Sequence, residues 1–180
     1  KRGSPAAARV VVCAGNSGSL TCFDSLGQTI LWSAQLPEAT HPAVTALAGG
    51  GGEGTSGVAA RYRVLHQFAA QDGTVLRTFP CEHWANICLM RADCVVAGCD
   101  DEFVRVWVIH STPPATHTEV SDRPVRLAHQ GANSVLALAA SACGELLASG
   151  GDDERVHCWR GRAVDTHLTT DSLGGSVLWL

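Results

Sequence analysis

Near the end of the chain, three side chains have the types of a hydrolytic triad. Ser149 could act as a nucleophile, His129 could take its proton, and Asp153 could orient the imidazole. Such chemistry needs a strained turn that exposes the serine, and an oxyanion site beside it. The sequence has no Gly-x-Ser-x-Gly elbow. The same three residue types also satisfy one another by hydrogen bonding inside a fold, and that reading is preferred. No catalytic residue is assigned. Gly49, Gly51 and Gly54 match the spacing of a dinucleotide-binding turn. That turn must open a helix, whereas the residues that follow, 57–64, have the composition of a strand. The acidic turns Asp100-Asp101-Glu102 and Asp152-Asp153-Glu154 hold oxygen ligands, but calcium needs several of them converging within one loop. They read as turn tips with one aspartate of each directed inward.

The eight cysteines are Cys13, Cys22, Cys81, Cys88, Cys94, Cys99, Cys143 and Cys158, and none forms Cys-x-x-Cys. Most lie in apolar runs, where a free thiol behaves as a small buried hydrophobe. Reduced thiols fit a cytoplasmic or nuclear protein. The nearest zinc constellation, Cys94 and Cys99 with His83, lacks paired ligand spacing, so neither metal nor cofactor is expected. A net charge of -4 argues against nucleic acid as the main ligand. No apolar run reaches the ~18 residues of a membrane span, and residues 1–9 lack the apolar centre of a signal peptide. Membrane insertion is not expected. With 46% hydrophobic and 17% charged residues, the chain has a globular composition.

The elements that must carry these residues are short. Runs rich in Val, Leu, Ile, Thr and aromatics alternate with Gly, Asp, Ser and Pro, the pattern of an all-β fold. Strands are predicted at 10–14, 19–24 and 29–36, and then at 43–48, 57–60, 63–70 and 74–79. A third group covers 86–90, 94–98 and 103–109, with a weaker strand somewhere in 118–127. The fourth covers 134–140, 145–150, 155–160 and 164–169, and residues 176–180 open a further strand. Phe23, Phe68, Trp107 and Trp159 occupy equivalent strand ends. They recur roughly every 40–50 residues, the period of a four-stranded propeller blade. In the third and fourth groups an aspartate stands six residues before the tryptophan: Asp101 before Trp107, and Asp153 before Trp159.

At these residues the chain resembles the WD-repeat β-propeller family. That resemblance implies a structural tetrad of His129, Ser149, Asp153 and Trp159, which rivets a blade together. It implies a partial set of His83, Asp101 and Trp107 in the preceding blade, where Ala97 replaces the hydroxyl. The dipeptides are Trp159-Arg160 and Trp107-Val108 rather than Trp-Asp. The first unit, from Gly18-Ser19-Leu20 to Gly27-Gln28-Thr29-Ile30-Leu31-Trp32, is similar to quinoprotein-like propeller repeats. Asp72-Gly73-Thr74 echoes it in the second unit.

The expected fold is therefore a β-propeller of four-stranded antiparallel blades. Residues 1–180 form one domain, with blades near 10–36, 43–79, 84–127 and 129–170. The first unit lacks its first strand and residues 176–180 open an extra one. Because four-bladed propellers are unusual in this family, the resemblance implies part of a larger propeller, usually of seven blades. Pairing of 176–180 with 10–14 into a closed four-bladed ring is the competing arrangement. The resemblance implies a non-catalytic scaffold or adaptor within a multi-protein assembly. A quinoprotein-like enzyme, and a regulatory subunit presenting RNA or substrate to a catalytic partner, are the alternatives. Arg155, Arg160 and Arg162 form a candidate basic contact for an acidic partner, and Arg61 and Arg63 read as surface charge. If the tetrad holds the last blade, Trp159→Ala costs about 3–5 kcal/mol through lost packing. Asp153→Ala costs about 1–3 kcal/mol through unpaired neighbours. Chemical denaturation of the two variants measures both.

Overall fold

The computed structural model describes residues 10–24, 29–37, 43–49, 56–91, 93–109, 123–129, 131, 133–160, 166–178 and 180. Every regular element among them is a strand, and all strand pairs are antiparallel. The first sheet holds β1 (Val10–Ala14), β2 (Ser19–Asp24) and β3 (Ile30–Gln35). The second holds β4 (Ala46–Gly49), β5 (Ser56–Arg61), β6 (Val64–Ala69) and β7 (Val75–Pro80). The third holds β8 (Ala85–Met90), β9 (Cys94–Cys99), β10 (Phe103–Val108) and β11 (Val125–Ala128). The fourth holds β12 (Val135–Ala140), β13 (Leu146–Gly151), β14 (Val156–Arg160) and β15 (Thr166–Thr169). Within each sheet the strands lie in sequence order. This is one three-stranded and three four-stranded meanders in series, the build of propeller blades.

The sheets pack face to face in chain order. Leu20 and Leu36 of the first meet Ala59 and Phe68 of the second. Val58, Leu65 and Phe79 of the second meet Val95 and Trp107 of the third. Val96, Val104 and Leu127 of the third meet Val135, Leu147 and Trp159 of the fourth. Because both faces of a middle sheet are covered, its inner strands show no polar alternation. Every residue of β9, Cys-Val-Val-Ala-Gly-Cys, is buried. Small side chains let neighbouring sheets approach: a Cβ on Gly98 would lie 2.7 Å from Val135 Cγ1 and 2.8 Å from Ile87 Cγ2. The outermost strand β7 alternates between half-buried or buried and exposed positions, as expected where one face meets water.

The sheets divide into two pairs by their bulges. In the first and second, the register slips between the last two strands, at Cys22/Phe23 and Gln67/Phe68. In the third and fourth it slips between the first two strands, at Ala85/Ile87 and Val135/Ala137. A bulge inserted at one repeated place re-aims the strand in the same way each time.

The joints also differ. Between the first two sheets, the Trp32 indole N–H donates to Ala70 O at 2.9 Å. Its ring lies over Gly73, whose φ of +75° and missing side chain admit it; a Cβ there would sit 2.6 Å from Trp32 Cζ3. Arg61, expected on the surface, is buried. Its guanidinium donates to Leu36 O at 3.0 Å and Pro37 O at 2.5 Å. A cation can be buried there because the carbonyls of the neighbouring sheet replace its water.

The expected strand at 176–180 is not present among its described residues, 176–178 and 180. The described residues 176–178 are irregular, and among the described strands β1 is hydrogen-bonded only to β2. Among the described residues, no pairing of 176–180 with Val10–Ala14 is present. The tail instead folds back on its own sheet: Leu173 N donates to Glu154 O at 2.8 Å, and Val177 N to Gly151 O at 3.0 Å. Val177 fills the space left by the missing side chain of Gly150. The weak strand expected within 118–127 is β11, ending at Ala128, and residues 110–122 lie outside the described set. Tight inter-sheet packing at Gly98 sets a test. Gly98→Ala should lower unfolding free energy by about 1–3 kcal/mol through overpacking. At Gly175 an added Cβ would have no atom within 4 Å, so Gly175→Ala should change it by less than about 0.5 kcal/mol. Urea titrations of both variants against the wild type check the pair.

Candidate functional site

The residues singled out in the fourth sheet do converge. Ser149 is on β13, Asp153 in the β13–β14 turn, and Trp159 on β14. His129 comes from the preceding sheet, one residue past the end of β11. Its backbone N–H donates to Glu102 O at 2.8 Å, so the β9–β10 turn of the third sheet holds it in place. The turn conformation repeats: Glu102 and Glu154 both adopt the left-handed region, with φ of 62° and 60°. In each turn the residue just before, Asp101 or Asp153, is directed inward, with 13% and 3% side-chain exposure.

His129 is fully buried between its two partners. Its Nδ1 lies 3.1 Å from Asp153 Oδ2, and its Nε2 meets Ser149 Oγ. Trp159 joins through ring contacts, with centroids 5.7 Å from His129 and 5.1 Å from His167. The structure adds three residues that the sequence pattern did not single out. His157 Nε2 lies 2.5 Å from the same Asp153 Oδ2. Its Nδ1 is 2.8 Å from His167 Nε2 and 3.2 Å from Thr169 Oγ1. The signal was alternation: His157 and Trp159 are two apart on β14, as His167 and Thr169 are on β15, so each pair shares a face. One proton assignment satisfies the whole set. Ser149 O–H donates to His129 Nε2, while His129 Nδ1–H and His157 Nε2–H both donate to the carboxylate. His157 Nδ1 then accepts from His167 or Thr169.

Electrostatics follow from this burial. Desolvation lowers the His129 pKa to about 4, helped by His157 and opposed by Asp153. Desolvation and His157 lower that of His167. Burial pushes the Asp153 carboxyl up, but the His157 hydrogen bond, the nearby His129 and the Arg155 backbone N–H outweigh it and hold it below the usual range. His129 is thus neutral and Asp153 ionised at neutral pH. Ser149 and His129 each show 0% exposure, so the hydroxyl has no route to a substrate and the triad reading fails on access.

The third sheet runs a variant of the same scheme. His83, expected in its set, is half exposed and stays 3.8 Å from both Asp100 and Asp101. Arg105 takes its place. This guanidinium is buried and forks onto Asp101, Nη1 to Oδ1 at 2.7 Å and Nη2 to Oδ2 at 2.5 Å. A bidentate charged pair outcompetes a loose imidazole contact. Arg105 follows Asp101 by four residues, as His157 follows Asp153. With Ala97 in place of the serine, Trp107 Nε1 is buried without a partner. Cys94 and Cys99 sit at opposite ends of β9, so they cannot share an ion with His83.

Two clefts open between the outer strands. One, of about 440 Å³, runs between β11 and β15 and is lined by Arg126, Arg155, His157, Trp159, His167 and Thr169, among others. The other, of about 600 Å³, is lined by Cys81, Glu82, Arg105, Arg123 and Arg126 with two prolines. Arg155 and Arg160 flank β14 at opposite ends, so they form no single cluster, and Arg162 lies outside the described residues. Arg155 instead faces the same cleft as Arg126.

A series of four-stranded antiparallel sheets packed face to face, locked by buried polar sets, defines the β-propeller class. Residues 123–160, which run from just before β11 through His129, Ser149 and Asp153 to the end of β14, match the family described as WD domain, G-beta repeat. That stretch is similar to a WD repeat, and the successive antiparallel sheets around it are those of β-propeller blades. No curated protein matches it. No helix among the described residues is long and apolar enough to cross a membrane.

Because His129 is held neutral, the folded state resists its protonation. Stability from this group is complete above its unfolded pKa of about 6.5. It falls as pH drops toward 4, where the folded state also takes the proton. The loss is about 3 kcal/mol at most, with His167 acting in the same direction. Denaturant midpoints measured from pH 7.5 down to 4 should fall for the wild type and fall less for His129→Asn. A flat profile would remove the assignment.

Proposed function

We propose that the chain is a non-catalytic protein-interaction scaffold, a WD-repeat subunit of a multi-protein assembly inside the cell. WD repeats generally mediate protein interactions, and the assembly is the further step. The observation that carries it is a division of labour. The residues capable of chemistry are buried and direct their hydrogen bonds to one another. The outer strand of every sheet, meanwhile, shows solvent an aliphatic side chain: Ile30 and Leu31 on β3, Leu76 on β7, Val125 on β11 and Leu168 on β15. A rigid body with apolar and charged features around its rim suits docking of other proteins. Free thiols at all seven described cysteines support a cytoplasmic or nuclear setting.

Arg155, with Arg126 in the same cleft, supports an acidic segment as one contacting element. Affinity purification of the wild type from its native cells should bring down stoichiometric partner subunits. Arg155→Glu should weaken capture of one of them roughly tenfold or more, since placing like charges together costs several kcal/mol. Equal capture by both proteins would remove the basic contact. Absence of any stoichiometric partner would remove the scaffold itself.

A further inference from the structure

We propose that His129, Asp153 and His157 form a binding site for a divalent d-block cation of the zinc class, stapling the third and fourth sheets together. The donor atoms are already gathered. Asp153 Oδ2 lies 3.1 Å from His129 Nδ1 and 2.5 Å from His157 Nε2. The three ligand atoms all fall within 4.8 Å of one another. Donors around a zinc ion sit about 2.0–2.2 Å from it, which puts them roughly 3–3.5 Å apart, so only small movements separate this cluster from a first coordination sphere. Two imidazoles and one carboxylate are a donor set favoured by zinc and its neighbours, whereas magnesium and calcium prefer oxygen alone.

The outer partners make the case stronger than the triad of donors alone. A ligating histidine keeps one N–H and directs it to a second group that fixes the ring. His129 has Ser149 Oγ at its far nitrogen, and His157 has His167 Nε2 and Thr169 Oγ1. Hydroxyls and a neutral imidazole can each donate or accept. Both ligands can therefore exchange tautomers: His129 would donate to Ser149 Oγ instead of accepting from it, and His157 would donate to His167 Nε2 or Thr169 Oγ1. His129 moves its proton from Nδ1 to Nε2, and His157 from Nε2 to Nδ1. The ion takes the freed lone pairs, with no net proton released by either ring. A cluster that only rivets the blade needs the first arrangement of protons, not the second. His157 borders the cleft between β11 and β15, which supplies an entry path.

The experiment starts from protein stripped with a chelator. Calorimetric titration with zinc chloride should show one saturable equivalent, and magnesium chloride should show none. Nitrogen-15 spectra of the imidazoles should show His129 and His157 exchanging tautomers as zinc is added. Cobalt(II) should give the visible absorption of a low-coordinate N/O site. His157→Gln should abolish the saturable binding. Thr169→Val should weaken it roughly 10–100-fold, the usual cost of losing an outer partner. His83→Gln should leave it unchanged. Should His157→Gln fail to fold, the tautomer exchange in the wild type still decides. Zinc binding with unchanged His129 and His157 tautomers, retention of binding in a folded His157→Gln, or no saturable zinc binding would each overturn the proposal.

Discussion

The carboxylate of Asp153 is the constraint around which the last two sheets are arranged. A buried charge is costly unless its hydrogen bonds are replaced, and here two imidazoles replace them on one oxygen. One imidazole, His157, comes from the same sheet, but the other, His129, is delivered by the end of the third sheet. Satisfying Asp153 therefore fixes where one sheet stops relative to the next. The turn that aims Asp153 inward passes through a left-handed Glu154, so local backbone strain and inter-sheet geometry meet at one point.

Apolar packing alone would let the sheets slide, because Ala, Val and Cys surfaces offer little directional preference. Every joint adds a directional element. Between the first two sheets it is Trp32 seated on Gly73 and Arg61 in a nest of carbonyls. Between the second and third, the Thr45 hydroxyl donates to Ala85 O at 2.7 Å. Between the third and fourth it is His129. The chemistry differs from joint to joint, while the requirement, a polar or shape-specific lock on a greasy interface, stays the same.

That requirement explains why a cluster resembling a hydrolytic triad is enclosed, with Ser149 and His129 fully buried. The same residue types serve catalysis when exposed and architecture when buried, and burial decides between them. The third sheet shows how far the scheme tolerates change. Arg105 substitutes for a histidine by forking onto Asp101, and the indole N–H of Trp107 is buried with no acceptor.

Much of the architecture was legible in the sequence. Strand spacing, glycine turns and the Asp-to-Trp interval of six residues located the blades, because a period of two and tight turns leave direct marks on composition. His129, Ser149 and Asp153 could be grouped as well, since the repeat supplied their relative positions. Three features came from long-range packing instead. His157 and His167 meet because β14 and β15 pair in one register, and a shift of one residue would have turned them to opposite faces. Arg61 is buried because the distant carbonyls of Leu36 and Pro37 supply its acceptors, which no local pattern announces. The tail from Ser176 has the composition of a strand, yet residues 176–178 are irregular and Val177 packs against Gly150. Local composition thus wrote down what each segment prefers. Which segments lie side by side, and hence which side chains share a proton or could share an ion, depended on contacts between residues far apart in the chain.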